Sequence, residues 1–153
     1  MKKLLTPLFL LAGLALFPGG CASVGDIVTT GLRVELTGLV RAADGGVSAT
    51  WRVVNPNVTA YLLAKISNKI YLNGTLVGTA ASHDPLGLPP HGEAMQTGRL
   101  TLAGAGAEKI LGEAAGHGPV GYKVESLLVV QIYGEETETG TVTHTGTVAV
   151  STK

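Results

Sequence analysis

The sequence predicts an all-β domain: an antiparallel β-sandwich of immunoglobulin-like or fibronectin type III-like architecture, with about seven strands and one short connecting helix. Three observations support this prediction. Several segments alternate apolar and polar residues with a period of two, which is typical of half-buried strands. Turn signals rich in Gly, Asn and Asp separate these segments. The 22 glycines among 153 residues favour many turns over long helices, and a chain of this length forms one domain around one core.

The first half of the chain is predicted to form two hairpins. Residues 32–40 and 47–53 alternate on either side of the turn signal Asp44-Gly45-Gly46. Residues 62–72 and 75–80 flank Asn73-Gly74, a strong signal for a type I′ turn. The residues expected to face the core are Leu32, Val34, Leu36, Val40, Val47, Ala49, Trp51, Val53, Leu62, Ala64, Ile66, Ile70 and Leu72, with Asn68 as a polar exception.

The second half is predicted to contain three strands and the helix. Residues 95–102, 121–134 and 138–150 alternate apolar with polar side chains, as strands do. Between residues 104 and 116, apolar residues recur at helical spacing, and Gly116 stands where a helix C-cap is expected. His144 is in phase with Val142 and Val148, so we expect a hydrogen-bonded or edge histidine there rather than a metal ligand.

The N-terminus is typical of an exported protein. Lys2 and Lys3 precede an apolar stretch at residues 4–17, which is short for a transmembrane helix. Gly19-Gly20-Cys21 resembles the bacterial lipobox, whose cysteine is acylated and becomes the new N-terminus. Cys21 is also the one cysteine of the chain, so no intramolecular disulfide can form.

These features predict a signal peptide at residues 1–20, a lipidated tether at residues 21–31 and a domain at residues 32–150. Pro18 stands where the lipobox usually has Leu, so two alternatives stay open: secretory cleavage near Ala22-Ser23, or an uncleaved anchor. We expect a periplasm-facing lipoprotein of the bacterial envelope. The outer membrane is favoured, because Ala22 rather than Asp follows the cysteine.

The stretch Asn55-Pro56-Asn57 interrupts a run of good strand formers. Proline has no N–H and cannot continue a central ladder, so Pro56 is expected to end or bulge the strand. Asparagine side chains hydrogen-bond nearby backbone and can replace the lost ladder partners. We therefore expect a strand-ending corner; the alternative is a ligand site centred on Asn55 and Asn57.

The segment "VVNPN", followed by "ISNKIYLNGTLVGTA", resembles the type 2 late embryogenesis abundant (LEA-2) family, also called the WHy (water stress and hypersensitive response) domain. The resemblance covers about residues 32–150 and is strongest over 47–102. It implies an immunoglobulin- or fibronectin-like sandwich and an association with desiccation and stress, and it brings no established catalytic residues. Bacterial members commonly resemble small exported lipoproteins. The residues that carry the motif are Asn55, Pro56, Asn57, Asn73 and Gly74.

Other chemistry has weak support. The formal net charge is zero, which argues against nucleic-acid binding. His83-Asp84 with His91 is the best group of metal-ligand types, but its spacing is not that of a metal site. The stretch "GAGAEK" at residues 104–109 lacks the full phosphate-loop pattern, and "GEETETG" at residues 134–140 is typical of a solvated acidic turn. We expect no enzyme, no metal and no cofactor.

The sequence as a whole predicts a non-enzymatic, membrane-anchored envelope lipoprotein with a stress-protective domain. Its first partner would be membrane lipid, reached through acylated Cys21. The alternative is an accessory module that docks onto an envelope protein complex. Such a module would use an exposed sheet edge or the loop between Pro85 and Pro90.

Overall fold

The computed structural model describes residues 29–132 and 134–153 of the chain. A mostly β domain with one short helix is confirmed. The seven predicted strands are all present, and two further strands of three residues each, β5 and β9, accompany them. The elements in chain order are β1 Arg33–Arg41, β2 Val47–Val54, β3 Tyr61–Leu72, β4 Thr75–Ser82, β5 Leu86–Leu88, β6 Glu93–Leu102, α1 Ala105–Ala114, β7 Val120–Ile132, β8 Glu135–Val148 and β9 Val150–Thr152.

The strands are hydrogen-bonded in the order β8-β7-β3-β4-β6-β2-β1-β9, with β5 added on β3. The pairing of β1 with β9 is parallel, so the sheet is mixed, which corrects the prediction of purely antiparallel pairing. The reason is that the C-terminal segment pairs first with β7, as β8, and then with β1, as β9. At the junction, Leu39 N–H donates to Ala149 O. The two ends of the sheet therefore meet around one core. The division into two packed sheets of immunoglobulin or fibronectin type stays a prediction.

Two β-bulges change which side chains face the core. The β1–β2 register shifts between Leu36 and Gly38, so Leu39 is buried where Val40 was expected. The β3–β7 register shifts between Leu63 and Lys65, so Leu63 is buried, and Leu62, expected inside, is 40% exposed. A bulge inserts one extra residue into a strand, which moves the following side chains to the opposite face. The predicted core faces of Val40 and Leu62 were wrong for this reason, and Ala64, also expected in the core, is the extra residue of the β3 bulge and is half-buried.

The core is centred on strand β2, where alternate residues are buried as predicted. Trp51 is completely buried and lies against Gly98 of β6, where an added Cβ would come within 2.8 Å of its ring. Asn68 is the buried polar exception on β3, and its Oδ1 accepts a hydrogen bond of 2.6 Å from Ser126 Oγ. The core thus combines close apolar packing with one buried polar pair.

Tyr122 of β7 links β1 to β8 through its hydroxyl group. Leu36, at the bulge of β1, donates its N–H to the hydroxyl of Tyr122 at 3.1 Å. That hydroxyl lies 3.0 Å from Nδ1 of His144, and the ring lies close to Gly146. Because the hydroxyl accepts from Leu36, its own proton is available to His144. His144 is therefore hydrogen-bonded, as the sequence predicted.

Changing Tyr122 to Phe tests this link. The substitution keeps the ring and leaves the buried amide of Leu36 without its acceptor, so we expect a loss of about 1–2 kcal/mol in the free energy of unfolding. Urea titration of the purified protein measures it. Tyr71→Phe is the matched control, because its hydroxyl meets Glu125 at the surface and its removal should have a smaller effect. Equal losses in the two variants would contradict the assignment.

Candidate functional site

Asn55 is the centre of the corner that follows β2. It is 1% exposed, and its side-chain amide donates to Thr59 O and Pro89 O, both at 2.8 Å. Its Oδ1 accepts from the backbone N–H of Asn57 at 3.0 Å. Both donors and the acceptor of this carboxamide are therefore engaged with backbone groups. The arrangement is that of a strand-ending corner rather than of an amide directed at a ligand.

The corner joins three chain segments, which we call the Asn-Pro-Asn cap: residues 29–31, 55–60 and 85–92. The backbone N–H of Asn55 donates to Gly92 O at 2.8 Å, and that of His91 donates to Asn57 O at 3.0 Å. Nδ2 of Asn57 donates to Thr30 O at 3.0 Å, which ties the start of the described chain to the corner. The cap is thus held by hydrogen bonds among all three segments.

The second half of the motif that resembles the LEA-2 family, Asn73-Gly74, lies elsewhere. Asn73 and Gly74 have φ angles of 47° and 82°, the left-handed values that a type I′ turn requires, and they join β3 to β4. The 12-residue strand β3 separates this turn from the cap. The structure therefore does not bring the two halves of the motif into one site. Cys21 and the predicted signal peptide lie outside the described residues.

The remaining sequence candidates do not converge on a reactive centre. Across residues 29–132 and 134–153, no group of three or more His, Cys, Asp or Glu side chains could hold a metal ion. His91 lies in the cap with a φ of 49°, and Gly104 precedes α1 as an ordinary helix start, with Ala107 N–H bonded to its carbonyl. The acidic stretch at residues 134–140, expected as a turn, instead begins strand β8 at Glu135, and Glu135 and Glu136 are exposed there. None of the helices in this part of the chain is long and apolar enough to cross a membrane.

Sequence reasoning missed an ion-pair network on the outer face of β1, β2 and β6. Arg52 contacts Glu35 at 2.6 Å and Glu93 at 3.4 Å. The hydrogen bond from Arg52 lowers the pKa of Glu35, against an opposing effect of burial. Glu35 and Arg52 are directly opposite each other in the β1–β2 ladder. The pair could not be predicted because it depends on the register of the two strands, which the β1 bulge shifts.

An open groove of about 410 Å³ lies at the end of the molecule opposite the cap. It runs between the C-terminal part of α1 and the Asn73-Gly74 turn. Its lining mixes polar side chains, including Asn73, Glu113 and His117, with apolar ones such as Ile110. The groove can admit a small molecule, but its polar side chains are not arranged to bind one particular class of ligand.

Comparison with known proteins gives structural similarities alone. No protein-family profile matches the chain, and no curated protein matches it. The chain is similar to a crystal structure of a protein from Archaeoglobus fulgidus, with 12% identity, a TM-score of 0.39 and coverage of 76% of this chain and 92% of that one. A solution structure described as a late embryogenesis abundant (LEA) protein is similar at 14% identity and a TM-score of 0.48, covering 79% and 72%.

A solution structure from Arabidopsis thaliana is similar at 16% identity and a TM-score of 0.48, covering 79% of this chain and 80% of that one. TM-scores below 0.5 indicate partial overlap of the chain traces. These similarities therefore establish neither the family of this chain nor its activity.

Asn55→Ala tests the role of the corner. The change removes three hydrogen bonds made by a buried side chain, to Thr59 O, Pro89 O and the N–H of Asn57, so we expect a loss of about 2–4 kcal/mol in the free energy of unfolding. Asn57→Ala is the matched control: its side chain is half-buried, and we expect a loss below about 1 kcal/mol. Urea titration of both variants checks the difference. A loss for Asn55→Ala no larger than that for Asn57→Ala would show that the corner is not held by Asn55.

The ion pair of Glu35 predicts part of the acid sensitivity. Because the pKa of Glu35 is lowered in the folded state, its stabilisation is present above the unfolded-state pKa and is lost as the pH falls through the folded value. We expect Glu35→Gln to reduce the decrease in melting temperature between about pH 5 and pH 3. Arg52→Gln removes the cause and should give the same flattening. An unchanged pH profile in both variants would contradict this assignment.

Proposed function

We propose that this chain is a non-enzymatic, membrane-anchored envelope lipoprotein whose LEA-2-like sandwich domain protects other molecules during desiccation or related stress. The observation that carries the proposal is the Asn-Pro-Asn cap. The residues that most specifically resemble the LEA-2/WHy family are engaged in holding chain segments together. Such residues are typical of a scaffold, and the function then lies in the surface that the scaffold presents.

The surface with the chemistry for protection is the outer face of β8. A row of exposed threonines follows alternate positions of this strand: Thr141, Thr143, Thr145 and Thr147. Each hydroxyl is both a donor and an acceptor, so the row can exchange hydrogen bonds with water, with headgroups or with protein surfaces as water is withdrawn. An uncharged row of this kind is suited to weak and unselective contacts.

Anchoring would come from acylation of Cys21. Two or three acyl chains, at about 0.8 kcal/mol per buried CH₂, anchor a domain stably at a membrane. The domain would then face the periplasm, with the outer membrane favoured over the inner one. A tethered protectant acts at the bilayer surface, where drying first brings lipids and proteins into contact.

The second candidate is an accessory module for an envelope protein complex. Strand β8 is 14 residues long, and its ladder is with β7 on one side, which is the arrangement that accepts an added strand from a partner. The loop between Pro85 and Pro90 contains β5, which is held on β3 and keeps the loop in one conformation. A rigid loop beside a strand edge would serve as a docking surface.

Cys21→Ser tests the anchoring. The serine hydroxyl cannot replace the thiol in lipid transfer, so we expect the variant to accumulate as unprocessed precursor. Globomycin, which blocks lipoprotein signal peptidase, should leave the signal peptide uncleaved on the chain with the native Cys21, in a precursor that already carries diacylglycerol on that cysteine. Mass spectrometry of the N-terminus measures both. Normal maturation of Cys21→Ser would contradict lipidation.

Drying tests the protective role. A labile enzyme dried with the purified protein should retain more activity than one dried with an equal mass of an unrelated β-protein. Replacing Thr143, Thr145 and Thr147 with Val keeps the shape and removes the hydroxyls, so protection should fall; Thr97→Val with Thr101→Val on β6 is the control.

Crosslinking in membranes separates the two candidates. One stoichiometric protein partner, without protection in the drying assay, would favour the accessory module.

A further inference from the structure

We infer that the Asn-Pro-Asn cap is a membrane-contacting surface that rests on zwitterionic phospholipid, so the domain stands with the Asn73-Gly74 turn and α1 directed away from the bilayer. The inference rests on the anchoring proposed above. It adds the surface, the lipid class and the orientation.

The first argument is the position at which the N-terminal tether joins the domain. The described chain begins at Thr29, and Thr30 O accepts a hydrogen bond from Asn57 of the cap. An added Cβ on Gly31 would lie 3.3 Å from Cγ of Pro56, which places this segment directly on the corner. The eight residue steps from Cys21 to Thr29 span at most about 28 Å when fully extended. An acylated Cys21 therefore keeps the cap, rather than the far end, close to the bilayer.

The second step is the chemistry of the cap. Its three segments contain no Asp, Glu, Lys or Arg, and they include four prolines: Pro56, Pro85, Pro89 and Pro90. Val58, at the tip of the corner, is 78% exposed, and the neighbouring Leu62 is 40% exposed. An uncharged surface with an exposed aliphatic tip loses little by leaving water and can enter the headgroup region.

Charged side chains of both signs lie at the opposite end of the strands. Arg41 pairs with Glu108 of α1 at 3.0 Å, and Lys109 lies 3.8 Å from Glu113. The Asp44 turn and the C-terminal Lys153 are at the same end, where Lys153 N–H bonds Arg41 O. A surface dense in charges of both signs favours water. Exposed charges also border the cap, at Arg33, Asp84 and Glu93, but none lies within its three segments, so the cap itself is the uncharged surface.

The acidic start of β8 selects the lipid class. Glu136 is paired with Gln131, and Val130 with Leu63, so the exposed Glu135 and Glu136 lie at about the level of the cap, beside β3. Anionic headgroups would repel these glutamates, whereas zwitterionic headgroups would not. Contact through an uncharged cap should also vary little with salt, because no ion pair forms.

Two tryptophan variants of the full, matured chain test the orientation. Val58→Trp reports from the cap, and Leu76→Trp reports from the opposite end, where Leu76 is 38% exposed. Both leave the core in place, and Trp51 contributes the same buried background to each. The chains are reconstituted in vesicles of phosphatidylcholine brominated near the headgroup end of the acyl chains. Co-flotation with the vesicles is measured first, and then tryptophan quenching.

We expect the bromines to quench about half or more of the added emission of Val58→Trp and little of that of Leu76→Trp, because interfacial side chains reach the headgroup–acyl boundary. Iodide from the aqueous side should give the reverse order. Anionic phosphatidylglycerol should reduce the bromine quenching of Val58→Trp, whereas added NaCl in phosphatidylcholine vesicles should not. Near-ultraviolet circular dichroism checks that both variants keep the native packing.

Two results would overturn the inference, and they are distinguishable. If the chains float with the vesicles but both tryptophans are quenched equally, or neither is, the cap does not face the lipid, while the anchoring stands. If the chains do not float, the anchoring and the inference fail together.

Discussion

One buried carboxamide determines the shape of one end of this molecule. Pro56 removes a backbone donor where β2 ends, and the side chain of Asn55 satisfies the backbone groups that the ladder no longer reaches. An unpaired polar group on the buried Asn55 side chain costs more than one hydrogen bond returns, so the corner favours the arrangement in which these groups are paired. The corner therefore has one low-energy arrangement, which fixes the loops at residues 55–60 and 85–92 and the point where the chain enters the domain.

The closure between the C-terminal strand and β1 also depends on a small number of polar contacts. The C-terminal strand bonds β7 and then continues to β1. Across this closure, the hydroxyl of Tyr122 accepts the hydrogen bond of Leu36 N–H, next to the β1 bulge. The apolar core provides the burial that drives folding, and Asn55 and Tyr122 select the arrangement in which that burial occurs.

The features that the sequence predicts correctly depend on residues close to one another in the chain. The alternation in β2 identifies Trp51 and its neighbours as core, and the Asn73-Gly74 pair identifies a turn, because each depends on adjacent residues. Val40 and Leu62 were assigned to the wrong face because a bulge depends on the partner strand. The partners of Asn55 within the corner follow from its residue type, but its bond to Pro89 O spans 34 positions and has no local signal. The parallel β9 and the Glu35–Arg52 pair were missed for the same reason.

Amide hydrogen exchange tests most directly whether the cap is a fixed structure. Asn57 and His91 lie in loops, and the account predicts that their amide protons exchange slowly, as ladder amides do, because Asn55 Oδ1 and Asn57 O accept them. Both should lose protection in the Asn55→Ala variant, while the amides of the central strands keep theirs. Exchange of Asn57 and His91 in the unmodified protein at the rate of an unstructured peptide would contradict the account.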